Sequence, residues 1–112
     1  MNDPQSTEVA AAFDAAVGEA VRECHRIGYR PSYFQQMLSE FGAVVTAQKL
    51  INSATVSDGF TTLWEKGRLD LTVEAIALRP EFRDLFTAPE LREAERRLKA
   101  YGVTRFTGRE LA

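Results

Sequence analysis

Apolar residues along this chain recur at helical spacing almost from end to end. Val9, Phe13, Ala16, Val17, Ala20, Val21, Cys24 and Ile27 follow one another at steps of three and four, with Glu8, Asp14, Glu19, Arg22, Glu23 and Arg26 set between them. That is the pattern of a long amphipathic helix with one buried face. Ser6 or Thr7 can cap its start, and Gly28 can adopt the left-handed conformation that ends it. The two-residue alternation of a half-buried strand is nearly absent.

Further helices follow. Pro31 suits the first turn of a second helix whose buried face is Tyr33, Phe34, Met37, Leu38 and Phe41, with Gly42 ending it. A third runs over 43–51, packing Val44 or Val45, Ala47, Leu50 and Ile51. Ser57 or Asp58 caps a fourth, carrying Phe60, Leu63 and Trp64 to a stop at Gly67, and Asp70 caps a fifth that Pro80 prevents from continuing past Leu78. After a short turn through Phe82, Leu85 and Phe86, Thr87-Ala88-Pro89-Glu90 forms a capping box at the start of a last helix that ends at Gly102. The expected fold is all-α: a single compact bundle of five or six helices with a long N-terminal amphipathic helix. It occupies residues 1–102, and 103–112 form a polar tail tied down only through Val103 and Phe106.

Phe34, Leu38, Leu63, Trp64, Val73 and Ile76 take inward positions on successive helices and are expected to meet in one core. Residues 28–102 hold enough apolar side chains to close it. The stripe on the first helix is then partly free, and Val9, Phe13, Val17, Ala20 and Cys24 become candidates for self-association across a two-fold axis, with docking of that helix onto the same core as the competing outcome.

The 112 residues suit one domain. Their formal net charge of -2 excludes a strong general attraction to nucleic acid or anionic membrane. Only the segment after Leu78 holds more Lys and Arg than Asp and Glu. A single cysteine forms no intrachain disulfide, no signal-peptide pattern opens the chain, and no apolar run is long enough to span a bilayer, which together suggest a cytoplasmic protein.

Catalytic chemistry finds little support. Cys24 and His25 are adjacent and diverge by about 100° on a helix, with no further Cys or His to complete a zinc site. Acidic residues fall mostly on outward faces, several with partners four residues on, such as Glu93 with Arg97 and Glu95 with Lys99. Phosphate loops, nucleophile elbows and zinc-protease signatures are absent. No enzyme activity, cofactor or metal is expected.

Gly67, with Leu63 before it and Val73 and Ile76 after it, has the spacing of a helix-turn-helix. The second helix would, however, offer Asp70, Thr72 and Glu74 to the groove, with only Lys66 and Arg68 to offset them. Arg92, Arg96 and Lys99 share one face of the last helix and, with Arg68, are the candidate partner-binding cations. The expected function is a non-catalytic helical binding or adaptor module acting on a protein partner or by self-association. The alternative is a nucleic-acid-binding accessory protein using the helix pair or the C-terminal basic face.

Gly28-Tyr29-Arg30-Pro31, Phe34, Met37 and Leu38, Gly42 with Val44 and Ala47, Gly59-Phe60, Leu63-Trp64-Glu65, the run Gly67-Arg68-Leu69-Asp70-Leu71-Thr72-Val73-Glu74, Leu85-Phe86-Thr87 and Tyr101-Gly102 compose one extended pattern. In it the chain resembles a small helical module of bacterial proteins, found alone or beside larger proteins that include some of restriction or defence type. The resemblance spans residues 28–102, implies an all-helical fold and brings no catalytic residue. The N-terminal helix lies outside it.

Overall fold

A computed structural model describes the backbone of residues 4–103 and the side chains from Thr7 onward. Six α-helices run in order among them: α1 (Pro4–Arg26), α2 (Ser32–Phe41), α3 (Ala43–Ile51), α4 (Asp58–Glu65), α5 (Val73–Ala77) and α6 (Ala88–Ala100). Two 3-10 turns, Leu69–Leu71 and Pro80–Leu85, flank α5, and no strand is present among the described residues. Phe106 and the rest of the expected tail beyond Val103 lie outside the described residues.

Local chemistry explains most boundaries. The Ser57 hydroxyl accepts from the Phe60 N–H at the start of α4, and Thr87 and Glu90 exchange the reciprocal bonds of a capping box at α6. At Gly67, with φ of 71°, the Arg68 N–H reaches the Leu63 carbonyl and the Gly67 N–H reaches that of Trp64. This paired closure requires left-handed backbone at its central residue, which glycine adopts without steric cost. Asp14 on α1 accepts from the Ala43 N–H at 3.2 Å and so caps α3 from a distance. Two caps differ from expectation: α1 begins at Pro4, so Ser6 and Thr7 lie inside it, and Thr72 starts α5, because Asp70 is held by Arg68 instead.

α5 lies at the centre. Every residue from Thr72 to Leu78 is buried, and α1, α3 and α6 pack around it. A short helix that is apolar at every position but one, Glu74, belongs in the interior. The helix-turn-helix comparison therefore fails beyond its turn, since the second helix has five residues and no face open to a groove.

α1 supplies part of this core rather than lying outside it. Phe13 is fully buried and meets Phe82 and Phe86 edge to face at 5.3 Å each. Val17, Ala20 and Cys24 are buried, and Val9 packs against the same cluster. The stripe expected to be free for self-association is thus consumed within the monomer. The reason is that α5 and the Pro80–Leu85 turn leave an apolar floor that residues 28–102 do not cover alone.

Candidate functional site

Three polar arrangements hold the helices in register. Arg97 is the largest fully buried side chain. Its Nη1 donates to Glu74 Oε2 at 3.1 Å and to the Leu50 carbonyl at 2.9 Å, Nη2 donates to the Ser53 carbonyl, and Nε donates to Glu93 Oε2 at 2.8 Å. One guanidinium thereby joins α6 to α5, to the last turn of α3 and to the chain just beyond it. Burial pushes the Glu74 carboxyl above its ordinary value, while its own backbone N–H and Arg97 act in the opposite direction. Glu90 adds a second tie, accepting from Asn52 Nδ2 at 2.8 Å.

The third is Arg68, which grips both oxygens of Asp70 at 3.0 Å and reaches Glu23 on α1 at 2.8 Å. Glu23 also receives Arg26, and the two guanidinium groups, Arg26 foremost, hold its carboxyl down at about 2. Arg68 is therefore a clamp between α1 and the turn before α5, already committed inside the molecule.

The other proposed cations divide. Arg96 is fork-paired with Glu93, whose carboxyl is lowered to about 2, first by Arg96 and then by Arg97. Arg92 and Lys99 are exposed on α6. With Arg97 withdrawn into the core and Arg96 matched by Glu93, the C-terminal face is less cationic than its composition suggests.

Cys24 is buried, and burial raises its thiol above the usual value, so it stays protonated at neutral pH and is a poor nucleophile. His25, its neighbour, points outward and lies 3.1 Å from Gln35 Oε1 on α2. Among the described residues no group of three or more His, Cys, Asp or Glu is placed to hold a metal.

One concave feature among the described residues is a cleft of about 400 Å³. α1 lines it with Ala20, Val21 and Cys24, α2 with Phe34 and Met37, α4 with Phe60 and Leu63, and the chain between with Val56, Leu71 and Val73. Thr72 and Glu74 also line it, Ser57 and Asp58 stand at the start of α4, and Tyr33 belongs to its wall. Among the described residues no Lys or Arg lines it. It opens beside α2, which packs chiefly on α3 and leaves Phe34 only partly buried. Its volume and mainly apolar walls fall within the range of ligand and anchor pockets.

Tyr33 and Phe41, expected on the buried face of α2, are 73% and 38% exposed. Val45, at 42%, continues the patch onto the first turn of α3, where Lys49 covers the Phe41 ring at 4.6 Å. Trp64, expected in the core, is 47% exposed and rests edge to face on Tyr101 at 5.3 Å. Leu63, Val73 and Ile76 are buried as expected. Periodicity missed the α2 surface because it ranks aromatic residues as interior. The available signal was charge: from Pro31 to Ser39 there is none, which is unusual for a helix facing water.

No protein-family model, curated protein or solved structure matches the chain. No helix among the described residues is long and apolar enough to cross a membrane.

Proposed function

We propose that this protein is a non-catalytic binding module that engages a protein partner through α2 and the cleft beside it. The observation that carries the reading is a helix with one charged residue, Glu40, that presents Tyr33 to solvent and Phe41 in part, and walls a mainly apolar cleft. Depletion of charge with exposed aromatic residues distinguishes the centre of protein interfaces from ordinary surface, and aromatic anchors in pockets carry much of their energy. A protonated, buried Cys24 and a Glu74 already engaged by Arg97 fit binding better than chemistry.

A photoreactive side chain at Gln36 on α2, compared with one at Arg92 on α6, tests this in cells of the native source. Protein adducts from position 36 that disappear on Tyr33→Ala, with none from position 92, are the expected result. Adducts from position 92 alone would move the contact surface to α6 and overturn the reading.

A further inference from the structure

Building on α2 as the contact surface, we infer that the partner it fits is a second copy of this chain, with the two α2 helices antiparallel across a two-fold axis. Tyr33, Met37 and Phe41 lie four residues apart along α2, and Glu40 follows Tyr33 by two turns on the same side. Arg30 stands exposed just before the helix and Glu40 exposed near its end, and neither has an ion-pair partner among the described residues. The segment between them is uncharged.

An antiparallel pairing brings Arg30 against the partner's Glu40, and symmetry repeats the contact at the other end. The same register sets Tyr33 opposite the partner's Met37, which lines the cleft. Tyr33, the most exposed large hydrophobic side chain among the described residues, is thereby covered, and it meets the cleft wall over the largely buried Met37, whose flexible thioether accommodates aromatic rings. Knob and hole lie on one face, as closed two-fold association requires. A different protein would have to supply an aromatic anchor and opposite charges at both ends, whereas this helix already carries them in complementary order. The charged ends set register and the Tyr33 contacts supply most of the affinity. A surface built on ten residues is small, so the dimer is reversible and concentration-dependent.

Sedimentation equilibrium of the full chain over a dilution series tests the arrangement, using Tyr33→Ala, Arg30→Glu, Glu40→Arg and an equimolar mixture of the two charge variants. All three side chains are exposed, so circular dichroism and melting should match the parent chain. The dimer is expected to weaken about tenfold or more with Tyr33→Ala and roughly three- to tenfold with each single reversal. The mixture should recover the parent affinity, because the mixed dimer restores an opposite-charge contact at both ends. A parent chain that stays monomeric throughout, a dimer indifferent to Tyr33→Ala, or a mixture that fails to recover would each overturn the second-copy assignment. A monomer that still yields adducts with another protein from position 36 retains α2 as a binding surface and removes only the symmetric partner. Absence of both removes both readings.

Discussion

The Arg97 guanidinium and the Glu74 carboxylate meet 3.1 Å apart at side-chain exposures of 2% and 3%. Removing one member leaves a buried charge without its counterpart, at a cost of about 3–5 kcal/mol. Arg97→Met is therefore expected to destabilise the protein by that amount in urea melts. The Arg97→Met/Glu74→Leu pair should be milder than the sum of the two single changes, and strict additivity would deny the coupling.

Acid should weaken the fold in a defined window. Glu23 and Glu93 have carboxyls lowered from 4.5 to about 2. Their folded-state values are depressed, so the stability they contribute is complete above 4.5 and is lost as pH falls toward 2. Glu74, raised by burial, works in the opposite sense. Melting temperature measured against pH should drop through this window, and Glu23→Gln with Glu93→Gln should flatten the drop.

Truncation will not leave a folded remainder. Phe13 and Val17 are 0% and 1% exposed in the shared core, so residues 28–112 alone should lack a cooperative thermal transition. Phe13→Ala in the full chain should cost about 3–5 kcal/mol. A shortened chain that melts cooperatively would show that α1 is an accessory.

Gly67→Ala isolates backbone strain. No heavy atom lies within 4 Å of the added methyl group, so the cost is that of holding alanine at φ of 71°, about 1 kcal/mol. Denaturant midpoints measure it. An unchanged midpoint would mean that the turn relaxes to another geometry.

What the sequence made legible was local. The bounds of α3, the Thr87 capping box, the Gly67 turn and the all-helical class follow from spacing and caps that reside within a few residues. What it hid required three dimensions. Arg97 looked like one more solvated cation, yet Glu90, Ala94, Arg97 and Tyr101 recur at steps of four, three and four, which places two charged residues on the inward stripe of α6. Glu74 carried a similar signal, being the one acid in a run that is otherwise apolar from Val73 to Leu78. The exposure of Tyr33 and Trp64 had no such mark in hydrophobic spacing, because an interface and a core use the same residues.

The edge-to-face contacts of Phe13 with Phe82 and Phe86 also constrain when the chain can close. During synthesis α1 emerges first, but the rings that seal its apolar face are encoded some seventy residues later. Until they leave the ribosome, α1 can meet α3 and α5 but its Phe13 end lacks the rings that seal it, and the loop that contact closes spans some seventy residues. The Phe13 side of α1 therefore stays uncovered until residues 82–86 have been made, so closure of this part of the core is a late, long-range event.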